Sequence, residues 1–168
     1  LAALKAAGVR VPSPLCRGSA DAQAFLVLEY LDLGGTGDPA ALARSLAAAH
    51  AVHREGHGWN RDNYIGTTAQ RNRRSQSWSD FWIESRLAPQ LELGARNRLG
   101  RSLSQKGERL LAAVPKLLAG HAPAPSLLHG DLWNGNAGYL ADGTPVLFDP
   151  AVYCGDRETD VAMTELFG

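Results

Sequence analysis

Leu127–Pro150 reads LLHGDLWNGNAGYLADGTPVLFDP, and the fold is decided there. A short apolar run, Leu127-Leu128, reads as a strand and gives way to His129-Gly130-Asp131. Further on, Ala141-Asp142-Gly143-Thr144 is a turn signal between two runs of strand-like composition. The expected local structure is a strand, a loop, a hairpin, and a carboxylate at the far end of that hairpin. Such a path brings Asp131, Asn136 and Asp149 to one edge of a small sheet, although Asn136 lies five positions and Asp149 eighteen positions beyond Asp131.

Two carboxylates and a carboxamide at one edge suit phosphoryl transfer from a magnesium nucleotide, where catalysis is mostly positioning and electrostatics. Magnesium prefers hard oxygen ligands, which Asn136 and Asp149 supply. A further carboxylate must accept the proton of the attacking hydroxyl, and Asp131 has that place. The run His129-Gly130-Asp131-Leu132-Trp133-Asn134-Gly135-Asn136 matches the protein-kinase pattern H-R-D-L-x-x-x-N with Gly for Arg, and Asp149-Pro150 stands where D-F-G begins.

With H-G-D in that place the chain resembles the aminoglycoside phosphotransferase-like small-molecule kinases more than protein kinases. HGDLWNGN, followed by VLFDPAVYCGDRETDVAMTELFG, is similar to the fructosamine kinase (ketosamine-3-kinase) family. The similarity extends upstream through Gly58–Gly66 (GWNRDNYIG) and Ser77–Phe81 (SWSDF). It implies an α+β, protein-kinase-like fold: a mostly helical C-terminal lobe with a catalytic hairpin. It also implies ATP and Mg2+ as cofactors and a ketosamine, small or protein-bound, as substrate. Trp133 would lie beside the sugar, where an indole offers apolar area with one polar edge; by its residue type alone it is equally a loop-packing side chain. Asp160 would turn inward to accept hydrogen bonds from the catalytic loop, or else stay outside to complement a helix dipole. His129 would anchor the loop, since Asp131 already holds the place of the base.

The bulk of the chain narrows the classes. Its 168 residues allow one domain with a real core. Seventeen basic and seventeen acidic side chains leave no global field to attract nucleic acid or an anionic membrane. No apolar run approaches the roughly 20 residues of a membrane helix, and no charged-then-apolar leader is visible. Cys16 and Cys154 form neither metal-type spacing nor a disulfide framework. The expectation is a cytoplasmic protein without nucleic-acid or membrane partners.

Taken in order, Leu1–Ala7 reads as a helix stopped by Gly8. Val11-Pro12-Ser13-Pro14 leads into extended chain, and Ala24–Tyr30 reads as a buried strand followed by a flexible connection, Leu31–Gly37. In a kinase-like fold that strand and connection form the hinge, and the backbone of Glu29, Tyr30 and Leu31 would bind adenine; otherwise they are a core strand and its loop. Asp38-Pro39 caps a helix with Leu42, Leu46, Ala49 and His53 on one face. His50, His53 and His57 are metal candidates or packing residues. Gly56–Ser75 reads as a long ordered loop, with Arg71–Arg74 either solvated or a positive rim for phosphate or an anionic protein. Ser77 caps a helix that Pro89 kinks or ends. Gly94–Gly100 is a connection, and Ser104–Leu118 a helix broken near Pro115. Gly120–Pro125 is a stiff linker, and the final helix, opened by Asp156–Asp160, carries Val161, Met163, Leu166 and Phe167.

A complete kinase also has a Gly-rich phosphate loop, a strand lysine and a helix glutamate; none is visible before Leu28. Residues 1–33 are therefore expected to be a remnant of an N-terminal lobe with its hinge, and residues 34–168 the C-terminal lobe. The expected activity is ATP- and magnesium-dependent phosphorylation of a ketosamine sugar hydroxyl, a protein-repair reaction. The alternatives are a phosphotransferase for another small molecule, such as an aminoglycoside or choline, and a non-catalytic kinase-like binding module.

Overall fold

The computed structural model describes residues 1–98 and 100–166. In chain order the elements are α1 (Ala2–Ala6), β1 (Pro14–Ala20), β2 (Gln23–Leu28), α2 (Pro39–His50), β3 (Asn63–Ile65), β4 (Thr68–Gln70), α3 (Trp78–Trp82), a π turn (Ile83–Leu87), α4 (Ala88–Arg96), α5 (Arg101–Leu117), β5 (Ser126–Leu128), β6 (Ala137–Tyr139), β7 (Pro145–Leu147), β8 (Tyr153–Gly155) and α6 (Glu158–Thr164). The strands pair only in twos, all antiparallel: β1 with β2, β3 with β4, β5 with β8, and β6 with β7. Helices pack on the β5–β8 and β6–β7 pairs, an α+β arrangement.

The core follows from β5. Successive strand residues point to opposite faces, so Leu127 and Leu128 enter different clusters. Leu127 packs with Leu4, Val9, Val11, Ala49, Leu132, Leu147 and Val152. Leu128 packs with Trp78, Phe81 and Tyr153, and Trp59 borders both groups. Thus α1, α2 and the hairpin strand β7 close one side of β5, and the aromatic helix α3 closes the other.

Several local expectations hold. Asp38 Oδ1 accepts from the Ala40 N–H at 2.9 Å and Pro39 opens α2. Ser77 Oγ accepts from the Asp80 N–H at 3.2 Å. In the β6–β7 hairpin, Asp142 Oδ1 accepts from the Thr144 N–H, and Gly143 takes φ +81° between β6 and β7.

Others are corrected. β2 is not buried: Phe25, Leu26 and Val27 are 46%, 54% and 42% exposed, so both faces of the β1–β2 ribbon are open. Helix α2 stops at His50, because Leu127 N–H takes the Val52 carbonyl and draws the chain toward β5. His53 is therefore not on its face. The Gly56–Ser75 stretch contains a hairpin, β3–β4, turned at Gly66. Pro89 sits in the first turn of α4, directly after the π turn that separates α4 from α3, so the first part of the helix ends ahead of it, as one of the two expectations had it. The Gly94–Gly100 connection is shorter than expected, since α4 runs to Arg96. Helix α5 begins at Arg101 and runs through Pro115, which falls in its last turn, to Leu117. Helix α6 closes at Thr164, short of Leu166; Phe167 lies outside the described residues.

The connection after the ribbon is laid down rather than loose. Gly34 bridges Tyr139, and Gly35 N–H donates to the Tyr139 carbonyl at 3.2 Å. A Cβ on Gly35 would overlap the Leu140 carbonyl. Glycine is needed here for close passage over the hairpin.

Candidate active site

The loop between β5 and β6 is held from below by one carboxylate. Asp160 Oδ2 accepts from the His129 N–H and Oδ1 from the Gly130 N–H, both at 2.8 Å, and His50 Nε2 meets Oδ2 at 2.9 Å. Asp160 is 0% exposed. A buried carboxylate is tolerable only when its lone pairs are so satisfied. Three donors from α2 and the loop thus fix the residues on either side of the strand end. His50, 110 residues away in sequence, does this work as an Asp160 partner. Among the described residues no group of three His, Cys, Asp or Glu side chains could hold a metal.

His129 is fully buried, and burial lowers its imidazole below its usual value. Its Nε2 lies 2.9 Å from the Phe148 carbonyl, which can only accept, so Nε2 carries the proton. Its Nδ1 then accepts from the Asp131 N–H at 3.3 Å. Both nitrogens are committed to backbone, tying the loop to the far end of the β6–β7 hairpin.

That hairpin brings the remaining groups together. Ala137 pairs with Leu147, and one step outward the Phe148 N–H donates to the Asn136 carbonyl at 3.1 Å. Asn136 Nδ2 donates to the Asp131 carbonyl at 2.9 Å and to its carboxylate Oδ2 at 3.2 Å. With the amide nitrogen so used, the amide oxygen is the atom left for a cation. Asp149, next to Phe148, is exposed and sits at φ +50°, a left-handed conformation that non-glycine residues seldom take. An amide oxygen and an exposed carboxylate are the hard donors a magnesium ion takes; the residues present fit that ion.

Gly130 has a steric reason. It sits at φ +83°, and a Cβ there would overlap the Ala151 carbonyl oxygen. The Arg of H-R-D has no room in this loop. Trp133 lies over its own loop, with the indole against Gly135. It also lines an apolar cavity of about 490 Å3 with Leu42, Leu46, Leu132 and Val161.

At the ribbon, Glu29 N–H is already donated to the Ser13 carbonyl at 2.8 Å. The Glu29 carboxylate pairs with Arg10 at 2.6 and 3.0 Å and accepts from the Ser13 N–H, which together hold it well below its ordinary value, at about 2. Tyr30 and Leu31 follow in extended chain, Tyr30 being 88% exposed. Of the basic cluster, Arg71 pairs with Glu92 at 3.0 Å and Arg74 donates to the Glu55 carbonyl.

The family model for fructosamine kinase matches residues 1–168. The chain belongs to the fructosamine kinase family. It is 45% identical over 163 residues to the "probable ketoamine kinase" of Synechocystis, covering 95% of this chain and 54% of that protein. To the chloroplastic protein-ribulosamine 3-kinase of Arabidopsis thaliana it is 40% identical over 161 residues, 93% of this chain and 49% of the relative. The chain thus spans about half the length of the curated relatives it matches. Among solved structures, a candidate fructosamine-3-kinase of Haemophilus somnus superposes with a TM-score of 0.89 at 30% identity, over 99% of this chain and 57% of that one. A type VIII aminoglycoside-3'-phosphotransferase, at TM-score 0.57 and 20% identity over 98% of this chain and 60% of the other, shares the fold. The protein-kinase-like fold implied by H-G-D is therefore the fold of this chain.

Proposed function

We propose that this chain carries the catalytic loop of an ATP- and magnesium-dependent kinase that phosphorylates a sugar hydroxyl of ketosamines, free or protein-bound. The observation that carries this reading is the Asn136 side-chain amide nitrogen donating to Asp131 while the Asn136 backbone carbonyl accepts from the N–H of Phe148, the neighbour of Asp149. One short span joins a base, an amide oxygen and a second carboxylate. Residues 1–33 would form the part of the nucleotide lobe present here, with the hinge, and residues 34–168 the C-terminal lobe.

In this mechanism Asp131 accepts the proton of the substrate hydroxyl as its oxygen attacks the γ-phosphorus and the bond to the β–γ bridging oxygen breaks, releasing ADP. Asn136 and Asp149 hold the magnesium ion, which when bound neutralises charge on the phosphate oxygens. The backbone of Glu29, Tyr30 and Leu31 takes the adenine, Glu29 through its carbonyl, since its N–H is engaged with Ser13. Trp133 borders the sugar from its place over Gly135. His129 and Asp160 keep the loop in shape.

The test is phosphate transfer from magnesium ATP to a ribulosamine and a fructosamine by the full-length protein, beside Asp131→Asn. Turnover of both, abolished in the variant while nucleotide binding persists, is expected. Equal turnover in the variant would remove Asp131 from the mechanism. Transfer only to an aminoglycoside or choline in a parallel panel would replace the substrate class.

A further inference from the structure

The β3–β4 hairpin and the residues after it carry a chain of buried and half-buried amides that the mechanism above does not use. Arg86, from the π turn, lies with its guanidinium carbon 4.6 Å from the Phe81 ring centre and 4.0 Å from that of Tyr153. Its Nη2 donates to Asn72 Oδ1 at 2.9 Å. Asn72 Nδ2 donates to Asn63 Oδ1 at 2.8 Å, and Gln70 Nε2 donates to the same oxygen at 2.9 Å. The chain ends on backbone: Asn63 Nδ2 donates to the Val152 carbonyl at 2.8 Å, and Gln70 Nε2 to the Ala151 carbonyl at 3.0 Å. Asn72 and Gln70 are 1% and 6% exposed.

The polarity of this chain is fixed from both ends, by the Arg86 guanidinium and by the Arg61, Ala151 and Val152 carbonyls, which can only accept. A guanidinium can only donate, so Asn72 must turn its oxygen to Arg86 and its nitrogen to Asn63. Asn63, receiving two donors on its oxygen, must then turn its nitrogen to Val152. The carbonyls it grips lie two and three residues past Asp149, and the Ala151 carbonyl is the group that rests on Gly130. Asp149 itself holds a left-handed φ, which persists only where the surroundings enforce it.

We propose that Arg86, Asn72, Asn63 and Gln70 are positioning residues: a one-way amide relay that presses residues 149–152 onto the catalytic loop and keeps Asp149 in its metal-holding conformation. This rests on the reading of Asp149 as a magnesium ligand. Groups behind metal ligands commonly govern affinity by 10- to 100-fold. A π turn as the source of the relay also accords with the frequent appearance of such turns at functional sites.

Asn72→Asp tests it by changing one atom's role. The new carboxylate keeps its size and still pairs with Arg86, but presents acceptors to Asn63 Oδ1 and the Arg61 carbonyl, so Asn63 loses its link to Arg86 and its hold on Val152 loosens. Two measurements on the full-length protein read the result: calorimetric titration with magnesium and a non-hydrolysable ATP analogue, and hydrogen exchange at residues 129–131 and 149–153 without nucleotide. The expected outcome is about a tenfold loss of magnesium-nucleotide affinity and faster exchange in both segments, with the thermal midpoint little changed. Gln70→Met, which cuts the Ala151 link and one of the two donors to Asn63 Oδ1 but leaves Asn72 in place, should do the same to a smaller extent, and it decides the matter if Asn72→Asp does not fold. Unchanged affinity and unchanged exchange in a folded variant would overturn the relay. If the unaltered protein bound no magnesium nucleotide, the kinase reading would fail while the exchange measurement still judged the relay.

Discussion

The β1–β2 ribbon and the β5–β8 pair are built from similar apolar runs, Ala24–Leu28 and Leu127–Leu128, yet they end in opposite surroundings. Leu127 and Leu128 are 0% exposed, and the chain leaving them is held by a buried carboxylate, a buried imidazole and a hairpin. In the ribbon, Leu15, Phe25, Leu26 and Val27 are all exposed, and a salt link from Arg10 to Glu29 is its tie to the body. Composition makes a strand in both cases; only neighbours make it a core. Fixed geometry is concentrated where the proposed reacting groups sit.

If that contrast is right, cutting the loop's anchor should have the largest effect. Asp160→Ala would leave the His129 and Gly130 N–H groups and His50 without their partner in a dry site. The expected cost is about 3–5 kcal/mol of stability, read as a lowered urea midpoint, with phosphate transfer lost even in the protein that stays folded. A midpoint equal to that of the unaltered protein would show that the buried carboxylate is not what fixes the loop. Leu127→Ala comes next, at about 2–5 kcal/mol for a fully buried leucine, and it should act on stability more than on the kinetics of the folded fraction.

The sequence makes the region around β5 legible and the ribbon only partly so. Asp142-Gly143 marks the catalytic hairpin, Gly130 and Asp131 mark the loop, and Asp38-Pro39 marks the start of α2, because each residue type has a local stereochemical reason to be there. The ribbon turn is harder to see. Asp21 and Ala22 take φ +50° and +64°, yet Ala22 stands where a two-residue turn favours glycine. The partnership of His50 with Asp160 and the grip of Gln70 on Ala151 span 110 and 81 residues, and no local pattern announces either. Asn63, Gln70 and Asn72 look like ordinary polar loop residues until the fold joins them in one hydrogen-bonded chain.

Acidity and alkalinity separate the two regions further. The Glu29 carboxyl is depressed to about 2 from 4.5, so its contribution is complete above 4.5 and disappears as pH falls toward 2. The difference in thermal midpoint between the unaltered protein and Glu29→Gln should be constant at neutral pH and close in acid. His121 behaves in the opposite sense. Asp156, 2.6 Å from its Nε2, raises its imidazole above 6.5, so that tie is complete below 6.5 and is lost as pH rises through the raised value. The midpoint difference for His121→Gln should therefore be present in mild acid and vanish in alkali. A pair of differences that moved in the same direction with pH would contradict the assignment of one tie to a depressed acid and the other to a raised base.

The smallest effect belongs to the ribbon surface. Phe25, Leu26 and Val27 are consecutive, so they point alternately to the two faces, and all three are more than two-fifths exposed. A side chain already in water gives up little when it becomes polar. Leu26→Ser should therefore change stability by no more than about 0.5 kcal/mol, read as a urea midpoint, where Leu127→Ala changes it severalfold more. A loss at Leu26 approaching that of Leu127 would mean that the ribbon face is covered in solution, and the contrast between the two strands would then be one of partners rather than of burial within this chain.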